Sequence, residues 1–569
     1  MTRTPYKEVE LAEVIIDHTT PLSFDIETCG LYGRIRLAQF YQPGWPEVLI
    51  VNNPNPYELA VLLQNVHFIA HNGHYEVSCI QYATHSKWAP DNLDDTLYLS
   101  RLKYFAKLEF SLDQVLDYTL GFDPYAAQGL NKAVLQKSNW DVVVLSESQK
   151  LYAATDVYYL PDVWEACKVY KDDISYRLDM LALKYSFDFQ GNGMPIIPAE
   201  INKKYAKNVA AVQRLDVPIN VNSWQQVRPY IGENSSDGLA LATFALEGNT
   251  RAREVQAARK LLKQNSFLDK YTRNEDNRVY GLFKPGARSG RFTSNNENQQ
   301  QHPRELKECF GYEPGEGMCL TYADYAQLEM RTIASITGDL RMAGVLRANE
   351  DLHDFTAKML FGENFTKAQR QIAKTCNFNL LYGGGAAMLR SILIQQASLM
   401  ITIAEANAYK YKWGNIYPAV KAWQKNGIEA YHQGAPWSTP FGRKYKAKLM
   451  TDQLNIQNQG AGAEVAKLSM HYMYEEYKDV YEPLGCKYVN FIHDAHAFEN
   501  PDDPAIYEPL AALVAKSMQE AWFEFLRSAN GIRIRDLPMP VDVFVGYNWG
   551  RIEKDYLHKL ELDGMKYAA

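Results

Sequence analysis

At 569 residues the chain is too long for one ordinary core, so two or more domains with sizeable interiors are expected. Hydrophobic residues at 46% and charged residues at 22% describe a globular, water-exposed protein and exclude a chain that is disordered throughout. The net charge of -7 argues by itself against a nucleic-acid partner, but a whole-chain sum hides local fields.

Seven cysteines are scattered without a close pair, which excludes a zinc knot or disulfide framework and points to a reducing compartment. The N-terminal MTRTPYKEVELAEV has no signal-like apolar core, and no run approaches the roughly 20 apolar residues of a membrane span. A cytoplasmic protein with no membrane association is expected.

In chain order, PLSFDIE, RLAQFY, EVLIV and VHFIA read as short strands separated by Gly, Pro and Asn. Helical patterns follow in LDQVLDYTL and QKLYAATDVYYLPDVWEAC, so an α/β domain is expected over residues 1–175. Residues 176–285 read as mostly helical. Between Arg251 and Lys307 there are thirteen Lys or Arg against six Asp or Glu, a candidate phosphate-backbone surface or simply a solvated helical face. A polar loop, RSGRFTSNNENQQQHP, leads into the strand MCLTYAD, and long helices dominate from about 340 to 435. Near the end, CKYVNFIHDAHAFE reads as two strands meeting at a tight turn, with Asp494 at the bend.

Within FDIET, Asp25 and Glu27 lie two apart on a strand, so both carboxylates face one side. Such a pair is costly without a cation between its members, and hard oxygen ligands suit magnesium or manganese. HNGHYE adds Asn72 and Glu76 after a strand, and YAATD places Tyr152 one helical turn from Asp156. Order and spacing resemble the proofreading 3′-5′ exonuclease domain of the DnaQ-like type over roughly the first 175 residues. That resemblance implies an RNase H-like α/β fold, with Asp25, Glu27, Glu76 and Asp156 as metal ligands and Tyr152 orienting the attacking water. Glu76 stands where the family has aspartate. Asp94 and Asp95, just beyond, read as structural.

Asp324 ends the later strand, and Glu329 follows in the first turn of a helix. Taken singly, Asp324 and Asp494 are each equally readable as turn or cap residues. The stretch QRQIAKTCNFNLLYGGG repeats a charged or aromatic residue every fourth position, Arg370, Lys374, Phe378 and Tyr382, along about 18 Å of one helix face. Alone it reads as an amphipathic helix with rings inward and cations in solvent.

The ordered set DYAQLE, RQIAKTCNFNLLYG, NIQNQG and IHD, with SGRFTSNNENQQQHP, DLHDFTAKMLFG and TPFGRK, closely resembles family A DNA polymerases from residue 285 to 500. The resemblance implies an α+β right hand: thumb 176–285, palm 286–338 and 436–569, fingers 339–435. It implies two magnesium ions per active site, with manganese as the alternative, held by Asp324, Asp494 and the backbone carbonyl of Tyr325. Arg370, Lys374 and His353 would grip a deoxynucleoside triphosphate, Phe378 would stack on it, Tyr382 would close the template side, and Gln327 would line the same pocket. Glu329 would exclude a ribose 2′-hydroxyl. Arg291, Asn298, Gln300, Arg443, Asn455, Gln459 and His493 would contact primer–template DNA. Ala495 and Asn379 depart from the family pattern. With the exonuclease starting almost at residue 1 and no 5′-nuclease domain, the arrangement is more like a phage replicase, in which case the compartment is the host cytoplasm. A monomer is expected, served by a replisome helicase or processivity factor.

Overall fold

The computed structural model describes residues 3–562. It falls into two compact units: Met1–Asn192 with Leu282–Ser294 and Phe441–Lys448, and Gly193–Gly281 with Asn295–Pro440 and Leu449–Ala569.

The first unit is built on a six-stranded mixed sheet of β1 (Tyr6–Val9), β2 (Leu22–Thr28), β3 (Ile35–Tyr41), β4 (Val48–Asn52), β5 (His67–Ala70) and β6 (Asn92–Asp95), in the order β1-β4-β3-β2-β5-β6. Central β2 runs antiparallel to β3 and parallel to β5. Its Leu22, Phe24 and Ile26 are buried, packing the apolar side against Phe40 and Phe68 while Asp25 and Glu27 face the other way. This compact unit runs on past residue 175 to Asn192. Helix Ile174–Asn192 packs on helices His74–Thr84 and Thr96–Lys103, and Tyr176, Leu183 and Phe187 join the same core as Phe24. Burial of those rings overrides the change in composition that suggested the earlier break. The segments Leu282–Ser294 and Phe441–Lys448, expected in the thumb and palm, also belong to this unit.

The second unit is α+β. Its antiparallel sheet contains β7 (Met318–Tyr325), β8 (Lys487–Ile492), β9 (Ala495–Pro501), β10 (Val541–Gly546) and β11 (His558–Leu562), ordered β8-β9-β7-β10-β11. Helix Pro504–Ser528 covers it and packs on the long helix Met450–Glu475. Residues 340–435 are helical as the periodicity predicts, with Leu352–Phe361 and Lys367–Leu381 packed side by side. Both turn residues beside the sheet adopt left-handed backbone without being glycine: Gln327 at φ 58° and His493 at φ 61°. Such conformations persist only where the surroundings fix them.

One buried cation fastens this unit. Arg331, 1% exposed, donates through Nε to the Ala326 carbonyl at 2.9 Å and through Nη1 to those of Leu346 at 3.2 Å and Pro538 at 2.7 Å. Burial lowers its pKa to about 10, so it stays charged at neutral pH. Arg331→Leu strands those carbonyls at about 1–3 kcal/mol each. The expected outcome is a clear fall in Tm by calorimetry; an unchanged Tm would show that the carbonyls find other partners.

Candidate active sites

In the first unit, β2 presents Asp25 and Glu27 on one face, as its period of two requires. Helix Glu147–Tyr158, started by a Ser146–Gln149 capping box, lies on β2, β3 and β4 and brings Tyr152 and Asp156 to that face. Helix His74–Thr84 supplies Glu76, whose buried carboxyl interacts with that of Asp25. Oxygens of Asp25, Glu27 and Asp156 lie within 4.8 Å of one another. One oxygen each of Glu76 and Asp156 is buried without a hydrogen-bond partner among the described residues. Crowded carboxylates with orphaned oxygens are a donor set suited to a hard divalent cation. The cluster opens into a cavity of about 840 Å³.

Burial alone pushes Asp25 up, while burial and then repulsion from neighbouring carboxylates push Glu27 and Glu76 well above the usual carboxylate range and Asp156 to about 7. Tyr152 lies on the same helix face one turn before Asp156, and the nearby carboxylates, after burial, push its phenol well up. Residues without a sequence signal complete the site. Tyr125 donates its hydroxyl to Asp156 from a separate short helix. Lys132 places Nζ 2.9 Å from Asp113 and 5.1 Å from the Tyr125 ring centroid, and its charge favours the ionised forms of Asp25, Glu27 and Asp156. At the cavity rim Leu31 is 80% exposed, an apolar surface open to a base. Asp94 and Asp95 are structural: Asp94 gathers His67, Trp164, Tyr176 and Lys171, while Asp95 accepts from the backbone of Asn72, Gly73 and Leu97.

In the second unit the sheet brings together aspartates that the sequence keeps 170 residues apart. β7 pairs with β9 up to Ala323↔His496, so Asp324 at the end of β7 lies beside the β8–β9 bend that carries Asp494. Burial first, then Asp494, raises Asp324 to about 8. The helix after β7 carries Glu329, which accepts a hydrogen bond from the Tyr382 hydroxyl at 2.6 Å. Asn458, itself bonded to Thr332, donates to the same hydroxyl at 3.0 Å. The fourfold stripe is therefore tied to the strand end at its aromatic terminus.

Along that stripe Phe378 and Lys374 are exposed, and Tyr382 is half-buried. His353 packs against Phe378 with ring centroids 5.4 Å apart; it is buried, bonded to Asn377, and burial lowers its pKa to about 4. A neutral His353 is a hydrogen-bonding partner at pH 7 rather than the cation expected for a triphosphate. Arg370 is ion-paired with Asp351 at 2.7 Å and with Asp354.

The expected DNA contacts divide. Arg443 is 5% exposed, with Nη2 on Asp179 at 2.7 Å and on the Ser175 carbonyl at 3.2 Å, so its guanidinium is tied within the first unit rather than extended from the surface. Arg291, also in that unit, is half-buried. Gln300 is buried and donates to the Phe491 carbonyl at 3.1 Å, while its backbone N–H bonds Asn298. Asn455 and Gln459 share a face of helix Met450–Glu475, with one Asn455 oxygen buried and unpartnered. His493 is exposed at the bend, and Gln327 is half-buried at its helix start.

A family model described as DNA polymerase family A matches residues 202–551, and one described as 3′-5′ exonuclease matches residues 2–168. The chain belongs to DNA polymerase family A and carries a 3′-5′ exonuclease domain. It is 24% identical over 583 aligned positions to DNA polymerase I of Aquifex aeolicus, covering 94% of this chain and 96% of that one. Thermostable DNA polymerase I of Thermus filiformis is 29% identical over 47% of the chain, which spans 32% of that relative. In fold it resembles the POL domain of Pol1 from M. smegmatis, solved in complex with DNA primer-template and dNTP, with TM-score 0.73, 19% identity, and coverage of 94% and 96%. These relatives are bacterial, so the expected phage source has no counterpart among them. Among the described residues no helix is long and apolar enough to cross a membrane.

The raised carboxyls give a pH signature. From an ordinary value of 3.8, Asp156 rises to about 7 and Asp324 to about 8, so the ion-free fold holds these protons more tightly than the unfolded chain does. Their stabilising effect is complete below the unfolded pKa and is lost as pH rises through 7 and 8. Without divalent ions, Tm is expected to fall between pH 5 and pH 8. Added magnesium should restore more at pH 8 than at pH 5, and Asp156→Asn with Asp324→Asn should flatten both trends. A metal-free Tm that does not fall over this range would contradict the assignment.

Proposed function

We propose that the chain is a template-directed DNA polymerase that extends a primer 3′ end with deoxynucleotides and excises mispaired ends with its 3′-5′ exonuclease. The observation that carries this reading is the Tyr382–Glu329 hydrogen bond, which joins the end of the cation-and-ring stripe to the helix that directly follows the strand delivering Asp324 beside Asp494. On this reading, triphosphate, sugar and metal chemistry share one site.

In the polymerase half, Asp324, Asp494 and the Tyr325 carbonyl would hold magnesium, and in the exonuclease half Asp25, Glu27, Glu76 and Asp156 would do so. Divalent ions bound there supply charge neutralisation and activation of the attacking oxygen. The chain's own groups do the rest. Lys374, and Arg370 once released from Asp351 and Asp354, donate charge-assisted hydrogen bonds to the triphosphate. Phe378 stacks beside the sugar and base. Glu329, fixed by Tyr382, fills the space of a 2′-hydroxyl, so ribonucleotides are rejected by exclusion. In the exonuclease, Tyr152 orients the attacking water and Tyr125 holds Asp156 in place. Asn298, Gln300, Asn455, Gln459, Arg291 and His493 serve primer and template.

On this reading Gly193–Gly281 is the thumb, residues 339–435 the fingers, and the sheet with its covering helices the palm. The chain works as a monomer on primer–template DNA, with a helicase or processivity factor as its replisome partner.

Primer extension on matched and mismatched termini tests the assignment. Asp324→Asn should abolish synthesis and leave excision, whereas Asp25→Ala should abolish excision and leave synthesis. Synthesis surviving Asp324→Asn would sink the polymerase site. Phe378, a ring without a hydroxyl, should go with poor use of dideoxynucleotides, and Phe378→Tyr should relax that bias; equal incorporation by the unaltered protein would contradict the role.

A further inference from the structure

The stretch Leu282–Ser294 folds with the first unit although it lies inside the span matched to family A polymerases. Its strand Leu282–Lys284 packs on helix Ile174–Asn192. The Phe283 ring meets that of Phe189 edge-on with centroids 4.8 Å apart, and the Phe283 backbone N–H donates to Gln190 Oε1 at 3.4 Å. Gln190 in turn donates to Ser78 at 3.2 Å and to Gln81 at 2.8 Å, both on the helix that carries Glu76. Anchored in this way, the next residue reaches the exonuclease cavity: Lys284 Nζ donates to Oδ1 of Asn72, one of the cavity walls, at 2.7 Å.

The main chain of Asn72 is fixed independently. It holds a left-handed φ of 79°, and Asp95 accepts from its backbone N–H at 3.0 Å and from that of Gly73 at 2.9 Å. Only the side-chain torsions are left to set. An ammonium group has three donors and no acceptor, so the amide oxygen of Asn72 must face Lys284 and the amide nitrogen must face away from it. Burial draws the Lys284 ammonium below its ordinary pKa, and the carboxylates of Asp95 and Glu76 oppose that shift. The other walls of the cavity near Asn72 are acceptors, with Asp25, Glu27, Glu76 and Asp156 among them. An amide N–H turned into this space supplies what the carboxylates lack, a neutral donor for an oxygen atom of a substrate.

We infer that Lys284 is a positioning residue for excision: it turns the Asn72 amide so that Nδ2 presents its N–H groups to an oxygen of the 3′-terminal nucleotide. The inference rests on the exonuclease reading. It makes the excision site depend on a residue from the stretch matched to the polymerase, outside the span matched to the exonuclease.

Excision of the 3′ nucleotide from a single-stranded oligonucleotide by the full-length protein tests it. Lys284→Met keeps the length of the side chain and removes the donor, so KM should rise by about tenfold while kcat stays within about twofold. Lys284→Arg, again a donor without an acceptor, should restore KM. Asn72→Asp keeps the contact with Lys284 as an ion pair and removes the amide donor, so KM should rise as far with no fall in Tm. The double variant Lys284→Met, Asn72→Ala should raise KM no further than Asn72→Ala alone, because the lysine acts through the amide. An unchanged KM in Lys284→Met, a parallel fall of kcat and Tm with KM unmoved, or additive effects in the double variant would each overturn the inference. Failure of the unaltered protein to excise any 3′ nucleotide would instead overturn the exonuclease reading.

Discussion

Repulsion between carboxylates confined to one small space is the constraint around which both halves are organised. A strand that places Asp25 and Glu27 on the same face cannot separate them, and Glu76 and Asp156 are added from helices packed on either side. Burial first and this repulsion second make Glu27, Glu76 and Asp156 hold their protons strongly. Lys132, Tyr125 and the surrounding core hold in place an arrangement that the acids alone would push apart. The second unit meets the same difficulty with Asp324 and Asp494, delivered by adjacent strands and braced by left-handed residues at His493 and Gln327.

Candidate catalytic positions of this kind are legible in a sequence when local geometry fixes them. A strand period of two announces Asp25 and Glu27, one helical turn relates Tyr152 to Asp156, and the fourfold spacing from Arg370 to Tyr382 gives a shared face. What brings distant segments together is not local. Nothing near Asp324 states that β9 lies beside β7, and nothing near Tyr125 or Lys132 points to Asp156. The break at Asn192 escaped composition because it depends on which core Tyr176, Leu183 and Phe187 enter. Arg443 was legible as a cation but not as a buried one, since Asp179 lies 264 positions away.

Asn379 acquires a physical setting. Gly384 leaves so little room that an added Cβ would come within 2.4 Å of the Asn379 side chain, and the Gly384 N–H bonds the Asn379 carbonyl at 3.0 Å. The asparagine and the glycine therefore form one unit at the end of the stripe, beside Gly383 at φ 77°. A larger residue at 384 would force Asn379 out of its place and disturb Phe378 next to it.

The pairing of Arg370 with Asp351 and Asp354 has a consequence for ligand choice. A newcomer reaching this guanidinium does not meet an idle cation; it must take over from carboxylates already in contact. A singly charged anion offers no more than either incumbent and gains little from the exchange. On the proposed reading, a ligand with densely packed negative charge gains most from the exchange, so the ion pair would bias the site by charge before any base or sugar is read.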